Sequence, residues 1–155
     1  MPYNDLRKGR FSQIGQAYVV TVVCAGREPI FADFDAARLA IKQMRDLHDS
    51  GAVESQAFVV MPDHVHWLFT LMGTHTLSDT VRLFKGRCAV AVNGVRGRTG
   101  PLWQRAFYDH ALRADEDLRE QARYIVANPL RAGLVESIGD YSHWDAVWLE
   151  HTLGG

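Results

Sequence analysis

The chain has 155 residues, 47% of them apolar, which suits one globular domain with an ordinary core, and no repeat or second domain is visible along it. No run of about 18 apolar residues is present, so a membrane-spanning helix is excluded. Net charge is −1, which alone gives no support for a nucleic-acid partner, yet Arg82 to Tyr108 contains no acid while holding Arg82, Lys85, Arg87, Arg96, Arg98 and Arg105.

The basic start, with Arg7, Lys8 and Arg10, is followed by no apolar leader, and a cytoplasmic location is expected. Ala17 to Cys24 alternates and is rich in Val, Tyr and Thr, the pattern of a strand that Arg27-Glu28-Pro29 breaks. A helix follows from its N-cap at Asp33 to about Ser50, with Phe34, Ala37, Ile41, Met44 and Leu47 on one stripe and Gly51 as its stop. Val53 to Met61 reads as a second strand, and the short turn Pro62-Asp63 makes it a hairpin with a third, His64 to Leu71. Successive side chains of a strand point to opposite faces. His64 and His66 therefore share one face, while Val65, Trp67, Phe69 and Leu71 make the other wholly apolar.

Leu77, Val81, Phe84, Cys88 and Ala91 recur at helical spacing, which predicts a second helix over 77–93, then a flexible basic loop over 93–101. Leu102 to Leu112 reads as a fourth, aromatic-rich strand. The order β-α-β-β-α-β predicts an α+β, ferredoxin-like antiparallel sheet, with both helices on one face and the histidines on an open second face. A third helix is expected over 115–128, stopped by Pro129. At 100° per residue its apolar side (Leu118, Ala122, Ile125, Val126) lies about 145° from Tyr124, which falls on the polar side with Asp117, Gln121 and Asn128. The remainder, over 131–155, reads as an irregular tail carrying Tyr141, His143, Trp144 and Trp148 that packs back on the domain. Cys24 and Cys88 fit no zinc spacing and read as two buried thiols.

Two imidazoles on one strand face suit a divalent metal, but a third ligand is required, and Asp63, Asn128, Asp109 and Glu120 are the oxygen-bearing candidates. The Asn128 amide oxygen suits Mg²⁺ or Mn²⁺. Tyr124 is a plausible nucleophile toward a phosphodiester polarised by such an ion, because a free phenol, with a pKa of about 10, is a poor attacking group at neutral pH. Arg82 and Lys85 lie at one edge of the second helix, where with Arg87, Arg96, Arg98 and Arg105 they are candidates for phosphate contacts; Arg7, Lys8 and Arg10 form a basic arm.

These motifs carry a resemblance. His64-Val65-His66 matches the HUH pattern of single-tyrosine DNA nucleases. The segments Leu102 to His110 and Tyr124-Ile125-Val126-Ala127-Asn128-Pro129-Leu130-Arg131-Ala132-Gly133 resemble the REP-associated tyrosine transposases, and the likeness runs from the Arg27 loop to Trp144-Asp145-Ala146. The resemblance implies a ferredoxin-like enzyme that cuts and rejoins single-stranded DNA near REP-type hairpins through a phosphotyrosine intermediate. It implies Tyr124 as nucleophile, His64, His66 and Asn128 as ligands of Mg²⁺ or Mn²⁺, and a monomer or homodimer. Asn128 replaces the longer Gln that insertion-sequence relatives often carry. Two other readings are a hairpin-binding module that has lost catalysis, and a histidine-triad nucleotide hydrolase; Leu68 stands where the latter needs a further histidine.

Overall fold

A computed structural model describes residues 15–113, 116–134 and 143–146. The elements are β1 (Ala17–Val23), α1 (Phe34–Asp49), β2 (Val53–Met61), β3 (His64–Leu71), α2 (Leu77–Arg96), β4 (Tyr108–Ala111), α3 (Leu118–Val126), the short α4 (Asn128–Arg131) and β5 (Trp144–Ala146). The strands form one antiparallel sheet in the order β4-β1-β3-β2-β5. Its first four strands have the expected ferredoxin-like arrangement.

The helix ends are set by local chemistry. Asp33 caps α1 by accepting from the Asp35 amide at 3.2 Å, and Thr76 caps α2 by accepting from the Asp79 amide at 3.1 Å. The predicted loop from Asn93 is instead helical to Arg96. The stop falls at Gly97, whose φ of 62° supplies the left-handed cap. Beyond it the loop is tied, since the Asn93 amide donates to the Gly100 carbonyl at 3.1 Å and Arg98 donates to Asn93 Oδ1 at 2.9 Å.

The sheet has two covered faces. On one, α1 and α2 enclose a core that includes Val20, Val22, Ile41, Met44, Val65, Trp67, Phe69 and Phe84. Phe34 departs from the expected stripe: as the first residue of α1 it is exposed, with its ring 5.4 Å from that of His143. The second face is not left open. Ala122, Ile125 and Val126 of α3 pack there on Ala57, Val59, Met61 and Leu68. Cys24 and Cys88 are buried free thiols, and burial pushes the Cys24 thiol up to about 12.

Three further predicted boundaries change. The fourth strand keeps only Tyr108–Ala111, apart from an isolated bridge between Cys24 and Trp103. Leu102 and Trp103 are buried in succession, which a strand's alternation does not allow on one core face, and Lys85 Nζ occupies the Gln104 and Arg105 carbonyls at 2.7 and 3.1 Å. The third helix starts at Leu118, capped by Asp117, and gives way at Ala127; Pro129 opens α4 rather than ending the chain's helical course, because its missing N–H costs nothing in a first turn. Part of the expected irregular tail is a strand: β5 pairs with β2 through Val59↔Trp144, Phe58↔Asp145 and Ala57↔Ala146, covering an otherwise open edge. The positions of Arg7, Lys8, Arg10, Asp115, Tyr141 and Trp148 lie outside the described residues.

Candidate active site

Sheet register places the site. Residues directly opposite on neighbouring strands share a face. Val59, His66, Thr21 and Tyr108 form one row, and Ala57, Leu68, Val19 and His110 form another; both rows face α3. Asp109 pairs with Val20 and so faces the other way, which removes it from the candidate ligands. Asp63 is also engaged, by His64 and Arg27, and Glu120 is an exposed residue of α3.

The two imidazoles converge. His64 Nδ1 donates to Asp63 Oδ1 at 2.7 Å, and Arg27 Nε donates to Asp63 Oδ2 at 3.1 Å. Burial raises the Asp63 carboxyl, but the hydrogen bond and charge of His64, with Arg27, outweigh it and hold the carboxyl below its usual value. A carboxylate on Nδ1 leaves the Nε2 lone pair of His64 pointing outward. His66 Nε2 lies 3.1 Å from His64 Nε2, and its Nδ1 is bonded to the Thr21 hydroxyl at 2.8 Å. Burial, then the charges of His64 and Arg131, push His66 down to about 4, so it is neutral near pH 7. When both rings are neutral, with their Nδ1 protons on Asp63 and Thr21, the two Nε2 lone pairs meet and favour a shared cation, whereas a proton on either Nε2 makes the contact a hydrogen bond. Two nitrogens bound at about 2.1 Å to one ion, at right angles, stand about 3.0 Å apart. The observed 3.1 Å fits that donor geometry.

A cavity of about 230 Å³ adjoins this pair. Val19, Thr21, His66, His110, Gln121, Tyr124, Ile125 and Asn128 line it. It therefore joins His66 to Tyr124 and Asn128, although the helix break at Ala127 puts these two on different helices. Tyr124 is exposed, as its place opposite the apolar side of α3 predicts. His110 opens onto the cavity and bonds through Nε2 to both Glu116 carboxylate oxygens, at 3.0 and 3.1 Å. Among the described residues no group of three or more His, Cys, Asp or Glu is placed to hold a metal. Among the described residues a donor of another type stands on the cavity wall, the Asn128 amide.

Sequence reading missed Thr21 and Arg131, and placed Gln121 beside Tyr124 without giving it a role. Gln121 is three residues before Tyr124, a helical neighbour, and Thr21 follows from the register of β1 on β3 once that pairing is known. Arg131 lies with its guanidinium carbon 3.7 Å from the Tyr124 ring centroid, a contact that depends on the break before α4 and left no local signal.

The basic candidates do not form one patch. Arg82, Lys85 and Arg105 line a groove of about 700 Å³ between α2 and the 101–107 segment, floored by Val81, Leu102 and Phe107. Arg96 pairs with Asp33 at 2.7 Å and Arg98 with Glu28 at 3.6 Å, toward the other end of α2. Arg87 is an exposed residue of α2.

Residues 12–128 match the family described as IS200-like transposases, and the chain belongs to that family. Among its relatives, a REP-associated tyrosine transposase of Escherichia coli is 34% identical over 89 residues, covering 57% of this chain and 51% of that protein. A Haemophilus influenzae protein described as a candidate of the same kind is 28% identical over 100 residues, covering 58% of this chain and 57% of that one. The chain thus spans about half the length of the curated relatives it matches. The fold is similar to a REP-associated tyrosine transposase solved with a REP hairpin, at a TM-score of 0.68 and 28% identity over 87% of this chain and 79% of that one. A crystal structure of a candidate transposase from Deinococcus radiodurans gives a TM-score of 0.55 at 25% identity, over 77% of this chain and 95% of that one. Among the described residues no helix is long and apolar enough to cross a membrane.

Proposed function

We propose that this chain is a DNA transposase that cleaves and rejoins single-stranded DNA beside hairpins, through a covalent bond to Tyr124. The observation that supports the reading is the cavity that Tyr124, Asn128 and His66 all line, His66 Nε2 being 3.1 Å from His64 Nε2. Family membership, and a structural relative solved with a REP hairpin, support the substrate class.

His64, His66 and Asn128 are the residues that would hold a divalent ion, Mg²⁺ or Mn²⁺. When bound, that ion supplies Lewis-acid polarisation of the phosphodiester. The rest falls to the chain. Asp63 and Thr21 orient the imidazoles through their Nδ1 atoms, and burial keeps His66 neutral. The Tyr124 hydroxyl attacks phosphorus: a tyrosyl O–P bond forms, the P–O bond to one sugar breaks, and that sugar leaves as a hydroxyl. The phosphodiester count is unchanged, so a second strand's hydroxyl can reverse the step without ATP. Arg82, Lys85 and Arg105 line a groove where Arg82 would exchange Asp79, and Lys85 the Gln104 and Arg105 carbonyls, for hairpin phosphates, with Arg87, Arg96, Arg98, Arg7 and Arg10 as further contacts.

The test is incubation with a DNA hairpin bearing single-stranded flanks and Mn²⁺, followed by denaturing gel analysis. A covalent protein–DNA species is expected from the wild type and none from Tyr124→Phe. An adduct that persists in Tyr124→Phe contradicts the nucleophile, and hairpin binding with no adduct from the wild type favours the non-catalytic reading. Replacing Arg82 and Lys85 with Ala should flatten the salt dependence of hairpin binding, each lost phosphate contact reducing the slope by about 0.9; an unchanged slope removes the groove from the interface.

A further inference from the structure

The geometry points to Arg131 as a positioning residue for Tyr124, its guanidinium holding the phenol ring at the cavity beside the histidine pair. The inference rests on the reading of Tyr124 as nucleophile.

Tyr124 is 64% exposed, and among the described residues no side chain or backbone group is hydrogen-bonded to its hydroxyl. An exposed aromatic on a helix surface exchanges rotamers within picoseconds to nanoseconds, which is poor preparation for in-line attack. Arg131 supplies the missing restraint. Its guanidinium carbon is 3.7 Å from the ring centroid, well inside the roughly 6 Å reach of a cation–π contact. That distance is close to van der Waals contact with the ring face.

The backbone delivers Arg131 to this place. In an uninterrupted helix a residue seven positions on stands about 10.5 Å further along the axis. Here α3 gives way at Ala127, and α4 begins again from Asn128 with the buried Pro129. The Arg131 amide donates to the Ala127 carbonyl at 3.0 Å, and the Leu134 amide to the Pro129 carbonyl at 2.9 Å, so the short turn is itself fixed. A planar guanidinium stacks on a ring, whereas a lysine ammonium is a compact, strongly hydrated point charge. Arg131 therefore acts through Tyr124, restricting the directions from which the hydroxyl meets phosphorus.

The experiment compares wild type, Arg131→Met, Arg131→Lys and Tyr124→Phe on the flanked hairpin with Mn²⁺. It reads the single-turnover rate of adduct formation, hairpin affinity, and spectra of protein carrying ¹³C-labelled tyrosine, with the Tyr124 ring signal assigned by its absence in Tyr124→Phe. Arg131→Met is expected to slow adduct formation by about 10- to 100-fold with affinity within about twofold of wild type, and to shift the Tyr124 ring signal, with Arg131→Lys partly restoring the rate. A wild-type rate in Arg131→Met, an unmoved ring signal, or an affinity loss as large as the rate loss overturns the positioning role. An adduct in Tyr124→Phe overturns the nucleophile and the inference with it, whereas no adduct in Tyr124→Phe beside a wild-type rate in Arg131→Met overturns the inference alone.

Discussion

His64 carries its ring proton on the nitrogen that faces Asp63, and that carboxylate is in turn engaged by Arg27. Such a carboxylate raises the basicity of the outward nitrogen and fixes the ring, so its loss typically weakens metal binding 10- to 100-fold. Asp63→Ala is expected to lower Mn²⁺ affinity by about that factor in a calorimetric titration; an unchanged affinity would mean that His64 is not a ligand. His66 gives a pH signature. Its folded value of about 4 lies below the 6.5 of a free imidazole, so between these values the unfolded chain binds the extra proton. In chelator-treated protein this contribution is whole above pH 6.5 and is lost as pH falls toward 4, costing about 3 kcal/mol. His143, lowered chiefly by burial, pushes the same way. Urea unfolding between pH 7 and 4 checks this, and His66→Gln is expected to flatten the profile. The shared face of His64 and His66 was legible from strand alternation alone; their Nδ1 partners were not, because Thr21 is 45 residues away in the chain and its approach depends on strand pairing.

The third helix couples the second core to the chemistry. Ile125 is 3% exposed and packs with Val59 and Leu68, one residue after Tyr124. Ile125→Ala should cost about 2–5 kcal/mol in denaturant unfolding, and it should slow adduct formation more than it weakens hairpin binding, since the tyrosine rides on that contact. Equal losses in both would mean that α3 serves folding only. Helix α1 was readable because an N-cap, an apolar stripe and a glycine stop agree, whereas α2 was read from its stripe alone and its end, at Gly97, was placed too early. The segment 102–107 was not, since its aromatic run imitates a strand while Lys85 satisfies its carbonyls from the side. Pro129 was misread for a similar reason: a proline marks a helix boundary, but not which side of it the helix lies on.

At the scale of the whole molecule, one antiparallel sheet does two jobs with its two faces. One face binds α1 and α2 in the main core, and the other presents the histidine rows to α3. The β-α-β-β-α-β order and the hairpin made this division predictable. The closing of the second face by α3 and of an edge by β5 was not, because each depends on contacts between segments distant in sequence. The central claim is that Tyr124 becomes covalently joined to DNA beside the His64–His66 pair. The most direct measurement is mass spectrometry of the adduct isolated from the flanked hairpin and Mn²⁺ after proteolysis. A nucleotide phosphate on the peptide carrying Tyr124, with the adduct lost in His66→Ala, is the predicted result; a nucleotide on another residue, or an adduct undiminished in His66→Ala, would contradict it.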